Sequence, residues 1–359
     1  MAVYTTIDDP SANFQTTIYT GGGANTTVTN GGNSDLKPDL LWIKNRAAAY
    51  SHFLVDSNRN ISYAQNSSNA PYLEIDTAAA ENNNNNWMQS VNTNGFTTGV
   101  SEHINSNSGS SFVAWQWKMN GGTTASNTDG NITSTVQANT TAGQSIVTWT
   151  GNEQSSATVG HGLDKAPETV IYKRRNNSSY GWVAHLLQLG VLGNGNTYAG
   201  YPHATNSWEQ STQPAPTATV IKPTSGATTN SGTMLAYCFH SVQGYSKMGK
   251  YVGNGSSDGP FAYCGFKPAF IMIKGNTVNH WVIYDNKRPG YNDNSYELYS
   301  NLNHAEYTGE SYFDCDLMSN GFKMRITDPS INSNGSIYAF MAFAETPFVT
   351  STGIPTTAR

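Results

Sequence analysis

One short pattern is written three times in this chain, and the repetition limits its possible folds more than any other feature. Pro38, Pro167 and Pro268 each lead into an apolar run, Leu40-Leu41-Trp42-Ile43, Val170-Ile171-Tyr172 and Phe270-Ile271-Met272-Ile273. A lysine stands six residues after each proline, at Lys44, Lys173 and Lys274. Proline cannot donate to a sheet ladder and so marks a strand's beginning, and a run this short and apolar suits a buried strand. Three such strands predict three homologous units.

The same order of landmarks recurs around them. Tyr19-Thr20-Gly21, Trp149-Thr150-Gly151 and Tyr251-Val252-Gly253 open the units, with Gly21, Gly151 and Gly253 lying 17, 16 and 15 residues before the prolines. Ala114, Ala236 and Ala339, taken as equivalent in the closing strands, lie 70, 63 and 65 residues after the lysines. Insertions therefore gather in one region, as loops on a shared scaffold do. At 359 residues the chain exceeds what one core usually fills. The units are expected at 1–119, 136–243 and 244–359, the last with a C-terminal tail, and 120–135, rich in Gly, Thr, Ser and Asn, reads as a linker.

The fold class follows from the spacing of strand and turn signals. Asn94-Gly95 and Asn320-Gly321 suit tight hairpins. No 3.6-residue periodicity is sustained, and the first unit's only helix-like fragment is Ala78-Ala79-Ala80-Glu81. These signals predict an all-β protein of tandem antiparallel β-sandwich units of jelly-roll or lectin-like kind, each with its own two-sheet core.

Composition excludes several functions. Lys and Arg number 19 against 24 Asp and Glu, which leaves no basic patch for nucleic acid. With neither a signal-like apolar segment nor an 18-residue apolar stretch, synthesis in a cytoplasm without membrane insertion is expected. Cys238, Cys264 and Cys315 match no zinc or redox spacing and read as small buried hydrophobes. Residues 244–251 nearly spell a phosphate loop, but Tyr251 replaces the magnesium-holding hydroxyl and falls in register with the other units' opening strands. The turn 253–259 lacks the acids of a calcium loop, so no cofactor or metal is expected. For glycoside hydrolysis, Asp314 and Asp316 with Glu297 or Glu310 supply carboxylates, but nothing in the sequence selects a pair.

Two charge pairs recur. Asp56 and Asp285 stand 12 and 11 residues after their lysines, with Arg59 and Arg288 three residues further on. They read as ion pairs pinning a loop, or as ligand contacts; the second unit has His185-Leu186-Leu187-Gln188 instead. Tyr50, Trp87, Trp208 and Tyr291 lie in loop-like segments where an aromatic ring can stack on a sugar. The candidate partner contacts are thus Asp56, Arg59, Asp285, Arg288, Trp208 and Tyr291.

As a set, Asp8-Asp9-Pro10-Ser11-Ala12-Asn13-Phe14-Gln15-Thr16, Lys37-Pro38-Asp39-Leu40-Leu41-Trp42-Ile43-Lys44-Asn45-Arg46, Val113-Ala114-Trp115-Gln116-Trp117-Lys118, Thr158-Val159-Gly160-His161-Gly162-Leu163 and Gly255-Ser256-Ser257-Asp258-Gly259-Pro260-Phe261 resemble repeat-containing structural proteins of marine tailed bacteriophages, especially cyanophages. The resemblance implies a non-enzymatic virion protein, a tail attachment or fibre-type module or a capsid decoration. Its expected partners are other virion proteins of tail or capsid and host-surface glycans, and its expected assembly is a homotrimer. The alternative is a phage-borne polysaccharide depolymerase on the same scaffold.

Overall fold

A computed structural model describes residues 5–59, 70–84, 87–106, 109–223, 231–289, 292, 294–308 and 314–347. Among them the chain forms antiparallel sheets joined by loops and three 3-10 turns, with no α-helix, as the strand and turn signals predict. The alanine-rich 78–81 is irregular rather than helical and runs into the short strand Asn82–Asn84.

Each unit builds one large sheet in the same spatial order. In unit 1 it is Phe14–Thr20, Ser111–Trp117, Leu40–Asn45 and Phe53–Asp56. In unit 2 the equivalents are Gln144–Thr150, Thr233–Phe239, Thr169–Arg174 and Val183–Leu186. In unit 3 they are Ser246–Val252, Ile337–Phe343, Phe270–Gly275 and Val282–Asp285. The landmark strand lies between two neighbours and is covered on both faces, which explains its unbroken apolar run. A smaller sheet covers one face in units 1 and 3, where the Gly95–Thr98 and Gly321–Met324 strands follow the Asn-Gly turns; in unit 2 it shrinks to Val159–Gly160 paired with Val220–Ile221. The phosphate-loop mimic at 244–251 lies largely in the strand Ser246–Val252.

Two sequence expectations need correction. The segment 120–135 is more than a linker, because Ala125–Asn127 pairs with Ser134–Asn139 at the edge of unit 2's large sheet. Its side chains face largely outward, so no apolar alternation announces it. The closing alanines are also one residue out of register in unit 3. Phe14 and Leu40 both pair with Trp117, Gln144 and Thr169 with Phe239, and Ser246 and Phe270 with Phe343, so the equivalent of Ala114 and Ala236 is Phe340. A side chain at Gly249, directly opposite, would strike the Phe340 ring; the absent Cβ makes room for it. Because strand side chains alternate, this single step decides which face Met341 occupies.

That face is the centre of the molecule. Each unit keeps an outer core between its two sheets, but the opposite faces of the three large sheets share a single core, so the units are not independent beads. The equivalent residues Trp117, Phe239 and Phe343 meet pairwise there, with ring centroids 6.5, 5.6 and 5.6 Å apart. A triangle of equivalent residues places a pseudo-threefold axis between them. Replacing Phe343, which is fully enclosed, with alanine is expected to cost about 3–5 kcal/mol. Denaturant unfolding should register that loss in one transition common to all three units. A transition restricted to unit 3 would contradict the shared core.

Candidate functional site

The recurring charges lie between units. Arg59 Nε is 2.6 Å from Asp56 Oδ2 and its Nη1 3.0 Å from Glu81 Oε2, while Arg175 of unit 2 meets Glu81 Oε1 at 2.7 Å. Unit 3 repeats the relay toward unit 1: Arg288 Nε to Asp285 Oδ2 is 2.6 Å, Arg288 Nη1 to Glu306 Oε1 2.9 Å, and Arg46 Nη2 to Glu306 Oε2 2.7 Å. The next unit's closing strand completes each relay. Tyr237 OH donates to Asp56 Oδ2 at 2.7 Å and Trp115 Nε1 to Asp285 Oδ2 at 3.0 Å, both from the position two before the central triangle.

The third interface, from unit 2 to unit 3, replaces every member of the relay. Leu186 and Leu189 stand where the other units have the aspartate and arginine. Trp208, seven residues after Tyr201 as Glu81 is after Glu74 and Glu306 after Tyr299, stands for the second acid. Asn276 takes the place of the next unit's arginine and Met341 that of its tyrosine or tryptophan. Loop of one unit on strand of the next, taken 1 to 2, 2 to 3 and 3 to 1, is a head-to-tail contact that closes into a ring.

The electrostatics fit this role. Burial works against the Arg59 cation, but Asp56 and Glu81 more than offset it and hold its pKa above the ordinary value. Burial likewise opposes the Glu81 carboxylate, which Arg175 and Arg59 nevertheless hold below its usual range. The landmark lysines have carbonyl partners instead. Lys173 Nζ donates to the carbonyls of Arg174 (2.8 Å), Asn177 (3.2 Å) and Tyr180 (2.8 Å) in its own turn and to Ala78 of unit 1 at 3.2 Å. Lys274 caps Thr277 and Asn279 and reaches Thr205 of unit 2 at 3.0 Å, and Lys44 caps Asn45 and Ala48. Burial pushes all three down to about 8. The proline-to-lysine spacing is thus the length of strand that brings an ammonium to the turn it fastens.

The ring absorbs most of the sequence candidates. Asp56, Arg59, Asp285 and Arg288 have no exposed side-chain surface; each arginine bonds the aspartate and second acid of its own unit, and each aspartate also accepts from the adjoining unit's tyrosine or tryptophan. Trp208 packs against the shared core with its ring 5.1 Å from Tyr198, and Tyr291 lies outside the described residues. Among the acids considered for hydrolysis, Asp316 pairs with Arg325 at 2.6 Å, and Glu297 is 3% exposed with its pKa raised by burial to about 8. Glu310 lies outside the described residues. Sequence reasoning missed Glu81, Glu306, Arg46 and Arg175; the arginines two places after Lys44 and Lys173 are the signal that could have found them.

Outward-facing aromatic surface remains on two units. In unit 1, the part-exposed Tyr50, His103 and Trp87 adjoin in series at 5.1 and 4.7 Å, and Trp87 stacks at 4.9 Å on Tyr72, which is buried in the outer core. In unit 3, Phe261 and Tyr263 project from one face of the edge strand Phe261–Tyr263 and are 42% and 65% exposed. The edge of the Phe261 ring lies 2.8 Å from where a Cβ on Gly321 would stand. Ala262 opposite Phe322 matches Val28 opposite Phe96, so unit 1 carries Thr27 and Thr29 in place of these aromatics.

A family described as a domain of unknown function, DUF7483, matches residues 9–347. No curated protein and no solved structure matches the chain.

Replacing Arg59 with methionine leaves Asp56 buried with its main counter-charge removed, and should cost about 3–5 kcal/mol. Replacing both with leucine, the pair unit 2 already uses, should recover part of that loss in denaturant unfolding, since Glu81 keeps Arg175 but Tyr237 OH loses its acceptor. A second expectation concerns pH. His185, whose Nδ1 is 2.8 Å from Thr197 Oγ1, is pushed down to about 3 by burial. Below the unfolded value of about 6.5 the unfolded chain takes up a proton that folded His185 refuses, so its contribution to stability is lost as pH falls. Buried acids such as Glu297 act in the opposite sense, and the variant His185→Gln isolates the histidine. Between pH 6.5 and 5 the wild type should lose about 2 kcal/mol more than the variant, read from urea midpoints.

Proposed function

The chain belongs to the DUF7483 family, a domain of unknown function. On the separate ground of its architecture and its resemblance to phage structural repeats, we propose that it is a non-enzymatic virion protein, a rigid three-unit module displayed on a tailed phage particle. One side engages tail or capsid proteins, and the outward aromatic faces engage host-surface glycans. The observation that carries this reading is the ring itself. Its recurring charged groups are buried in contacts between units, while the outer faces differ from unit to unit, as expected of a scaffold that holds varied surfaces in fixed relation. The resemblance to phage structural repeats supports the same reading, and exposed Phe261 and Tyr263 suit stacking on sugar rings.

The test is where the protein resides. It should band with purified particles in a density gradient at a fixed copy number, and gold-labelled antibody should mark tail or capsid. Recovery in the soluble fraction alone would overturn the assignment. Incubation with host polysaccharide should release no new reducing ends; turnover abolished by Glu297→Gln or Asp316→Asn would put a depolymerase in its place.

A further inference from the structure

A cleft opens beside the unit 3 aromatics. It has a volume of about 340 Å³ and is lined by Ser241, Gln243, Gly244, Ser246, Lys247 and Tyr263, with Cys264 and Gly265 behind. Two voids in the shared core hold only about 10 and 20 Å³. Ligand sites usually run from ~300 to 1,000 Å³, so this cleft suits a ligand of one or two small rings.

Its walls are fixed and chemically mixed. The Ser241 N–H donates to Glu168 Oε2 at 2.6 Å and the Ser241 hydroxyl donates to the same oxygen, while Ser246 Oγ donates to the His240 carbonyl at 3.1 Å. Gly265 adopts φ +82°, a conformation that favours glycine, and the Tyr263 ring lies over it at van der Waals distance from where a Cβ would stand. Gln243 is exposed. Lys247 is half-buried and makes no ion pair or side-chain hydrogen bond among the described residues, whereas Lys323 and Arg325 nearby in the small sheet are paired with Asp258 and Asp316.

An exposed aromatic face, an amide and an unpaired ammonium around one cleft form a complementary set for a pyranose ring that carries a carboxylate. The tyrosine meets the ring's C–H face, Gln243 its hydroxyls and Lys247 its acid. We infer that this cleft is an acidic-saccharide site, with Tyr263 as stacking residue and Lys247 as charge contact. Phe261, next but one along the strand, extends the platform for a following sugar. Unit 1 has threonine at the position of each aromatic, so it does not repeat the site.

The assignment rests on the glycan-binding part of the proposed function and is tested separately from particle display. Purified full-length protein is titrated with tetragalacturonate and with its fully methyl-esterified, uncharged counterpart, by calorimetry and by saturation-transfer NMR. The acid should bind and weaken as NaCl is raised to ~0.5 M, where a single exposed charge contact is largely screened. Lys247→Met and Tyr263→Ala, both at solvent-accessible positions, should each reduce its affinity by about tenfold, the scale of one charge-assisted or stacking contact. Lys247→Met should leave any weaker binding of the ester unchanged. Equal affinity for acid and ester, binding unaffected by both substitutions, or no binding of the acid would each overturn the assignment. Loss of this binding with the protein still on particles removes the site alone, and absence from particles removes the display reading alone.

Discussion

Everything else in the molecule is arranged around three aromatic rings. Trp117, Phe239 and Phe343 end the closing strands of their units and meet at the pseudo-axis. Their contact requires each closing strand to arrive with the same register and face, because a slip of one residue would turn each ring away from the centre. The register is held from both sides, by the opening and landmark strands that pair with each closing strand. A sandwich with only its own outer core would not need this. Here each large sheet has two apolar faces, and the second is covered only when the other two units are present.

Once the axis is set, the interfaces follow. They accept two different solutions: a buried relay of alternating charges twice, and a hydrophobic set once. Burying charge costs desolvation that its partners must offset, so an apolar replacement of similar volume is often equal or better in stability. Unit 2 contributes Leu186, Leu189 and Trp208 to the shared core and unit 3 contributes Met341, while Asn276, at the arginine's position, is exposed and bonds Ile337 of its own unit. The substitution is complete on both sides, and completeness is what a low-dielectric interface demands, since one charge left behind would stand unpaired. The Trp281 indole N–H, equivalent to that of Trp182 donating to Glu74 O at 2.8 Å, has no partner at this interface; its ring instead fits against Gly200, where a Cβ would be 2.8 Å away.

Much of this was legible in the chain. The landmark strands, the three units, the all-β class and the charge pairs can be read from spacing because each depends on residues close in sequence. The ring could also be inferred, by a longer route. Asp and Arg recur in units 1 and 3, and the arginine after the strand lysine recurs in units 1 and 2; only a cyclic pairing leaves the unit without the pair facing the unit without the arginine. What could not be read depends on distant contacts. Glu81 and Glu306 stand in loops of unlike sequence, and only their common distance from Glu74 and Tyr299 marks them as equivalent. The one-residue error at Ala339 arose because unit 3's closing strand has alanines at both 339 and 342, and only pairing with Phe270 chooses the register. The edge strand Ala125–Asn127 buries almost nothing, so its pattern is that of a loop.

Closure within one chain has a consequence for function that three identical subunits would not share. A homotrimer repeats every outer face three times, so a binding site comes with valency three and a change in one copy is a change in all. In a covalent ring the same core and interfaces are kept while each outer face varies alone. Unit 1 presents a stack of Tyr50, His103 and Trp87, unit 2 adds strands to both edges of its large sheet, and unit 3 carries Phe261 and Tyr263 beside an open cleft. The threefold arrangement is therefore present inside one chain. Its asymmetry leaves each outer face free to vary without disturbing the shared core or the interfaces that hold the three units together.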